Sequence, residues 1–216
     1  AIVVVTAHWE TIPEVTISSG ESHDLLYDYY GFPSDAYSIS YKAKGSPAVA
    51  QKIHDLLSQA SIPSKLDATR GWDHGTFVPM KLINPEEDIP VVQMSVVGSW
   101  DPAHHLRIGQ VLAALRDENI AILGSGMSYH PDGFRLIMDN AKPFGEALVA
   151  ACVKTDVVAR GEVLQAWESF PKARKCHQRD EHIVPLFVVA GAGGDGDAKV
   201  VDVYGNGVYK AFGWGV

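Results

Sequence analysis

The stretch that most constrains the fold is an apolar, β-branched run from Ile2 to Thr6, which leads directly into His8. A run of this composition predicts a strand buried on both faces, as in a parallel sheet covered by helices. A second run, residues 120–125, has the same character and also leads to a histidine, His130. Because sites in open α/β sheets form beyond the carboxyl ends of the strands, we expect His8 and His130 to mark such a site.

Strand-like and helix-like patterns alternate along the rest of the chain. Ser46-Pro47 and Asp101-Pro102 each predict a helix start, with a capping side chain followed by proline. Further strands are predicted at 15–18 and 91–96, further helices at 77–83, 143–154, 161–170 and 181–192, and a closing hairpin at 198–204 and 208–212 with Asn206-Gly207 as its turn. At 216 residues the chain suits one α/β domain. We predict a single three-layer domain whose mostly parallel central sheet carries helices on both faces.

Charge and composition exclude several classes of function. The net charge is −8 and Lys and Arg never cluster, which argues against a nucleic-acid partner. No apolar stretch is long enough to span a membrane, so no membrane partner is expected. Two cysteines, Cys152 and Cys176, are too few for a disulfide framework and favour a reducing, cytoplasmic setting.

Chemistry must come from the nine histidines. Several of them lie in loops or at the ends of predicted elements, where functional groups concentrate. The sequence contains no zinc-protease HExxH, no CxxC pair, no serine-hydrolase elbow and no P-loop. Imidazoles gathered without thiolates suit zinc or non-haem iron. Spacing alone therefore indicates a histidine-rich metal site in an α/β domain.

A series of short motifs then carries a resemblance to a known family. The motifs occur in this order: TAHWE at 6–10, YGFP at 30–33, GSP at 45–47, GWDHG at 71–75, IPVVQMS at 89–95, GSG at 124–126 with Tyr129-His130, and EHIVPL at 181–186. Together they resemble the class III extradiol ring-cleavage dioxygenases of the DOPA-dioxygenase type, which are related to the catalytic subunit of protocatechuate 4,5-dioxygenase. The match runs from His8 to about Ala192.

The resemblance implies a role for individual histidines. His8 and His182 would be metal ligands, and His130 would be the acid/base residue acting on the catechol hydroxyl. His74 would be a second catalytic residue, a donor that either supports the metal ligands or contacts the substrate and that stabilises anionic oxygen. The resemblance places the two remaining candidates in the substrate-binding pocket: His23 and His177. It also implies Fe(II), with Zn(II) as the alternative, and a small DOPA-like catechol that reacts with O2 to give a muconic semialdehyde.

Two features depart from the family pattern. The family carries a further metal-binding histidine in a His-Gly segment one strand before the counterpart of His8. We therefore expect residues 1–216 to be a catalytic domain that lacks its N-terminal strand. Pro131 follows His130 where many relatives have Asn, and proline cannot donate a backbone hydrogen bond. In the wider superfamily the third ligand can be a carboxylate, and Glu181 adjoins His182. His182 is favoured because it aligns with the helix-borne histidine of the DOPA type.

Two other functions stay open alongside ring cleavage. One is a metal-dependent hydrolase or amidase on the same scaffold, and the other is a non-catalytic relative that lacks a metal ligand. Retained zinc with oxygen-independent hydrolysis would indicate the first, and failure to bind iron or zinc would indicate the second. For the dioxygenase we expect a cytoplasmic monomer or small homo-oligomer acting in the breakdown of aromatic compounds.

Overall fold

The computed structural model describes residues 1–10, 12–131, 137–204 and 207–216. The chain forms two compact units. Unit 1 comprises Ala1–Ser99 and Ala114–Ser125, and unit 2 comprises Trp100–Ala113 and Gly126–Val216. Within the described residues no helix is both long and apolar enough to cross a membrane.

Nine strands occur in the described residues. They are β1 (Ile2–Thr6), β2 (Val15–Ser18), β3 (Leu25–Leu26), β4 (Ser64–Asp67), β5 (Trp72–Asp73), β6 (Val91–Ser95), β7 (Ala121–Ser125), β8 (Ala198–Tyr204) and β9 (Tyr209–Trp214). Seven α-helices accompany them in the same part of the chain. They are α1 (Pro47–Gln59), α2 (His74–Ile83), α3 (Pro102–Leu112), α4 (Met138–Cys152), α5 (Val157–Gln165), α6 (Ala173–Cys176) and α7 (Val184–Ala192).

Unit 1 is built on a five-stranded sheet in the order β4-β2-β6-β1-β7. The β1–β6, β1–β7 and β2–β4 pairs are parallel, and the β2–β6 pair is antiparallel. The sheet is therefore mixed but mostly parallel, which confirms the predicted α/β class. Because β1 is parallel to both of its neighbours, the carboxyl ends of β1, β6 and β7 lie at the same edge, and His8 follows the central one.

The strand burial follows from this order. Val3, Val4 and Val5 of β1 are fully buried, as the β-branched run predicts for a central strand. The prediction of a second strand buried on both faces was wrong for β7, which is only partly buried. The reason is its position, since β7 is an edge strand of the sheet. Buried Trp72, Phe77 and other large side chains complete the core of this unit.

In unit 2, helices α3 and α7 pack with their backbones almost in contact. A Cβ atom added at Gly109 would lie 1.9 Å from the Val188 carbonyl oxygen, and one added at Gly191 would lie 2.2 Å from the Leu106 carbonyl oxygen. Both distances are far inside van der Waals contact, so only glycine allows these two crossings. The contact fixes the spacing of the helix pair.

A fully buried arginine holds the end of α7. The Arg160 guanidinium donates to the carbonyl oxygens of Ala190, Gly194 and Lys154, at distances of 2.5–3.3 Å. It also lies 5.0 Å from the Trp214 ring centroid. The last carbonyls of a helix lack intrahelical donors, and Arg160 donates to Ala190 in the last turn of α7 and to Gly194 just beyond it.

Several predicted boundaries shift in the structure. The helix predicted at 77–83 begins at His74, because β5 occupies the two preceding residues. The helix predicted at 143–154 begins five residues earlier and contains Pro143, and those predicted at 161–170 and 181–192 are the shorter α5 and α7. The hairpin is confirmed as β8 and β9, while Asn206 of its predicted turn lies outside the described residues.

Candidate active site

The first histidine cluster forms in unit 1 and consists of His8, Asp28 and His74. His8 lies two residues beyond β1. The short parallel pair β3–β5 aligns Leu26 with Asp73, so the next residues of both segments, including Asp28 and His74, come close together. His74 is also the first residue of α2. Distant parts of the sequence therefore meet through local strand pairing.

Asp28 is the acceptor at the centre of this cluster. Its Oδ1 lies 2.7 Å from His74 Nδ1 and accepts from the His74 backbone N–H at 2.9 Å. Its Oδ2 lies 3.3 Å from His8 Nδ1. The two imidazole rings stand 4.0 Å apart at an angle of 57°. A carboxylate only accepts, so both rings present Nδ1–H to Asp28.

The charges of this cluster are coupled. Burial works to raise the pKa of Asp28, but hydrogen bonds from His74 and His8 outweigh it and hold that pKa well below its usual range. For His8, burial works to lower the pKa, and the bond and charge of Asp28 raise it overall. Asp28 is therefore an anion at every pH at which the protein would work.

A second layer of polar groups fixes the backbone of His8. Arg70 donates from Nη2 to the His8 carbonyl oxygen at 3.3 Å and from Nη1 to Asp73 Oδ2 at 3.1 Å. Its guanidinium carbon lies 4.4 Å from the Trp9 ring centroid, a cation–π contact. Asp73 is fully buried and also accepts from the Thr6 hydroxyl at 2.8 Å. Burial raises the pKa of Asp73 despite these partners.

The second cluster forms in unit 2 and consists of His130, Glu181 and His182. The His130 and His182 rings are stacked, with centroids 3.9 Å apart and planes 11° from parallel. His182 Nδ1 lies 3.0 Å from Glu181 Oε1, and Arg179 Nε lies 3.3 Å from Glu181 Oε2. Burial works to raise the pKa of Glu181, but the His182 hydrogen bond and nearby positive charges lower it to about 2.

The backbone of this second cluster is held from both sides. The His130 N–H donates to the Cys176 carbonyl oxygen at 2.9 Å, and His130 forms an isolated parallel bridge with His177. The Met127 N–H donates to the His182 carbonyl oxygen at 2.8 Å. His182 lies two residues before α7, so the start of this helix helps to fix its backbone.

The two histidines predicted to bind substrate lie outside both clusters. His177 is fully buried, with the rings of Phe144 and Trp167 at 5.4 Å and 5.9 Å, and burial lowers its pKa to about 4. His23 donates from Nδ1 to the Arg70 carbonyl oxygen, accepts at Nε2 from the Gly20 N–H, and stacks on Trp72. Substrate contact by either residue stays a prediction.

The structure thus groups the predicted residues in two pairs, His8 with His74 and His130 with His182. Asp28 was not predicted from the sequence, and Glu181 was predicted only as an alternative ligand. Asp28 did give a signal, because it is a charged residue among aromatic neighbours in the YDYY stretch at 27–30. A charge in such surroundings needs a partner.

Residues 1–214 match the protein family described as the catalytic LigB subunit of aromatic ring-opening dioxygenase. The chain belongs to this family.

Individual relatives support the family match. The chain is 42% identical over 214 residues to dioxygenase tasH of Hapsidospora irregularis, and the match covers 89% of this chain and 64% of that protein. It is 38% identical over 198 residues to the 4,5-DOPA dioxygenase extradiol of Beta vulgaris, covering 90% of this chain and 74% of that protein. The resemblance to the DOPA-dioxygenase type is confirmed. The chain spans about two thirds to three quarters of the length of these relatives.

A solved structure is also similar. An uncharacterized protein from Escherichia coli K12 matches with a TM-score of 0.72 and 30% identity, and the match covers 98% of this chain and 84% of that one.

The residues of both clusters fit a metal ion of the kind the resemblance implies. In each cluster, one potential ligand atom from each of the three residues lies within 4.8 Å of the other two. Each set contains two imidazoles and one carboxylate, the donor types of non-haem Fe(II) sites, and imidazole also suits zinc. Nδ1 of a histidine in each cluster faces a carboxylate, an arrangement that orients a ring for metal binding through Nε2.

Proposed function

We propose that this chain is the catalytic domain of a metal-dependent extradiol dioxygenase that opens a small, DOPA-like catechol. Both atoms of O2 enter the product as the ring carbon–carbon bond beside the diol breaks, which gives a muconic semialdehyde. The observation that carries the proposal is the pairing of imidazoles with a carboxylate in both clusters of a chain that matches the LigB family over residues 1–214.

The proposed metal ligands are His8 and His182, with Fe(II) as the metal and Zn(II) as the alternative. A bound ferrous ion would supply Lewis acidity toward the catechol oxygens and electrons for O2. The carboxylate partners support this assignment, because Asp28 and Glu181 each accept from the Nδ1 side of one of these rings. Metal binding requires the ligating imidazole nitrogen to be unprotonated.

His130 is the proposed acid/base residue. An imidazole has the right proton affinity to remove a catechol proton near neutral pH. Its backbone bond to Cys176 holds the main chain and its stack on His182 restrains the ring, as proton transfer over a short distance requires. His74, held by Asp28, is the proposed donor to anionic oxygen during the reaction.

Aromatic side chains beside His74 suit an aromatic substrate. The Tyr29 ring stands 5.3 Å from the His74 ring in an edge contact, and it also contacts Tyr27, Phe32 and Tyr37. Aromatic faces and edges provide favourable packing for a catechol ring. We further propose His23 and His177 as substrate-pocket residues, and a cytoplasmic monomer or small homo-oligomer. The free, buried state of Cys152 and Cys176 supports a reducing setting.

The test is turnover by protein that has been reconstituted with Fe(II) under anaerobic conditions. On exposure to air we expect oxygen uptake and a yellow ring-opened product from DOPA or another small catechol, in a one-to-one ratio. The assay is run on the 216-residue chain and on any longer natural protein that contains it. Zinc-loaded protein and a catechol with both hydroxyls methylated are the controls.

Absence of product across a panel of catechols, with iron bound, would contradict the proposal. Hydrolysis of an amide or ester that continues without oxygen would favour the hydrolase instead. Failure of the longest available protein to bind iron or zinc would favour a non-catalytic relative.

A further inference from the structure

Asp28 has three donors directed at one carboxylate. They are His74 Nδ1, the His74 backbone N–H and His8 Nδ1, at 2.7, 2.9 and 3.3 Å. We infer that Asp28 is a positioning residue, which orients His8 and His74 together and holds both in the tautomer that carries hydrogen on Nδ1. This inference rests on the proposed function in taking His8 as a metal ligand.

The distances favour an orienting role over direct metal ligation. Two atoms that bind the same ion at about 2.1 Å stand roughly 3 Å or more apart, even at a right angle. The 2.7 Å separation of His74 Nδ1 from Asp28 Oδ1 is that of a hydrogen bond. The same Oδ1 also accepts from the backbone N–H at the start of α2. Asp28 therefore has its oxygens committed to N–H donors.

The tautomer decides which nitrogen meets the metal. A neutral imidazole that donates from Nδ1 has its lone pair on Nε2, the form that an ion can bind. Without a carboxylate facing Nδ1, the hydrogen is free to occupy Nε2 and the ring is free to rotate. Outer-shell carboxylates of this kind raise ligand basicity and fix ring orientation, and their loss typically lowers metal affinity by about 10–100-fold.

One carboxylate also couples two rings with different proposed tasks. His8 and His74 are 66 positions apart in the sequence, yet their rings stand 4.0 Å from each other and share Asp28. A change at Asp28 should therefore disturb metal binding through His8 and substrate contact through His74 at once. A residue that merely stabilised the loop would not link these two properties.

The deciding variant is Asp28→Asn. Asparagine keeps an oxygen for the His74 donors but presents an N–H2 group toward His8 Nδ1, which reverses the bond there. We expect Zn(II) and Co(II) affinity, measured by anaerobic titration, to fall about 10–100-fold, with a changed visible absorption spectrum of the Co(II) form. Two-dimensional nitrogen NMR of the metal-free protein at pH 9 should show His8 shifting toward the form protonated on Nε2. His8→Gln and His74→Gln variants assign the signals.

Asp24→Asn is the matched control. It makes the same change in charge four residues earlier, at an exposed position, and should leave affinity and tautomers as in the parent protein. Unchanged tautomers in Asp28→Asn, together with metal affinity within twofold of the parent, would overturn the inference. A lower melting temperature with unchanged tautomers would overturn it too, since that result describes a structural role.

The outcome is separable from that of the proposed function. A parent protein that binds metal but cleaves no catechol contradicts the function, while the affinity ratio still tests Asp28. A parent protein that binds no metal also contradicts the function, and the NMR measurement on metal-free protein then decides whether Asp28 sets the tautomers.

Discussion

The two histidine clusters use the same chemical device but build it differently. In unit 1, Asp28 lies 46 residues from His74 and 20 residues from His8, and it contacts both rings. In unit 2, Glu181 is the chain neighbour of His182; within the described residues its carboxylate is paired with that ring on one side and with Arg179 on the other. The first carboxylate depends on tertiary structure, whereas the second depends on a few adjacent residues.

This difference separates two ways of holding a ligand. The shared Asp28 carboxylate orients two imidazoles at once, so a loss there should be felt by both. Glu181 is paired with one imidazole among the described residues, and the ring stack with His130 adds a further restraint on His182. The metal affinity of the unit 1 cluster should therefore depend more on its carboxylate, Asp28. That of the unit 2 cluster should depend more on the ring stacked on His182, which is His130.

The largest expected effect comes from removing the proposed ligand in each cluster. His8→Gln and His182→Gln should each lower metal affinity by more than about 100-fold, beyond the usual effect of outer-shell changes, and reduce turnover to background. Metal analysis after dialysis and oxygen uptake measure this. His104→Gln, a change on α3 outside both clusters, should retain metal and activity. Tight metal binding by either variant would show that the substituted histidine is not a metal ligand, and the comparison of the two clusters would then fail.

Loss of the ring partner in unit 2 should come next. We expect His130→Gln to lower kcat per bound metal by roughly 10²–10⁴-fold, because an acid/base group is lost. It should also weaken metal binding more than Glu181→Gln does, because the ring stacked on His182 is lost. Steady-state kinetics and metal content are measured on the same sample. A kcat close to that of the parent protein would remove His130 from the proposed chemistry.

Substitution of the two carboxylates should give the third-largest effect, and it distinguishes the two clusters most directly. Glu181→Gln should weaken metal binding by about 10-fold, at the low end of the usual range, because Glu181 serves one ring. Asp28→Asn should weaken metal binding by about 100-fold, because Asp28 serves two rings. Anaerobic titrations of the two variants in parallel provide the ratio, and a larger loss for Glu181→Gln would reverse the comparison.

The smallest effect concerns stability in acid. The pKa of Glu181 is about 2 in the folded protein and about 4.3 when unfolded, so its stabilisation is fully present above about pH 5 and is lost as the pH falls toward 2. Glu181→Gln should lower the free energy of unfolding by about 1–2 kcal/mol at pH 7, and by progressively less below pH 4. Urea denaturation at several pH values measures this.

The control for that experiment is Glu162→Gln, which removes the same charge at an exposed position of α5. It should change the free energy of unfolding by less than about 0.5 kcal/mol at every pH. A pH-independent loss in Glu181→Gln would mean that the Glu181 charge does not stabilise the fold.

Features that depend on adjacent residues could be predicted from the sequence. The α1 and α3 starts were correct, because Ser46 and Asp101 cap the helices and prolines follow them. The buried central strand was also correct, since three consecutive valines suit no exposed position in a sheet. The start of α2 was missed, because the β3–β5 pairing that precedes it involves only two residues on each side.

The carboxylate partners show the corresponding limit for the site. Histidines could be selected because their motifs resemble a family, but Asp28 acquires its role from contacts with residues 20 and 46 positions away. Arg70 is a similar case, since its contact with the His8 carbonyl spans 62 positions. No local pattern encodes such contacts, and only the folded backbone reveals them.

The helix crossing in unit 2 has a consequence for how this protein tolerates change. At Gly109 and Gly191 even a methyl group would meet a carbonyl oxygen of the other helix, so alanine at either position must push α3 and α7 apart. A library randomised over both helices should therefore return glycine at these two positions among functional clones. Substitutions at exposed positions of α3 would be recovered freely. The backbone position of α7, and with it that of the preceding His182, therefore depends on two glycines at which any side chain would separate the helices.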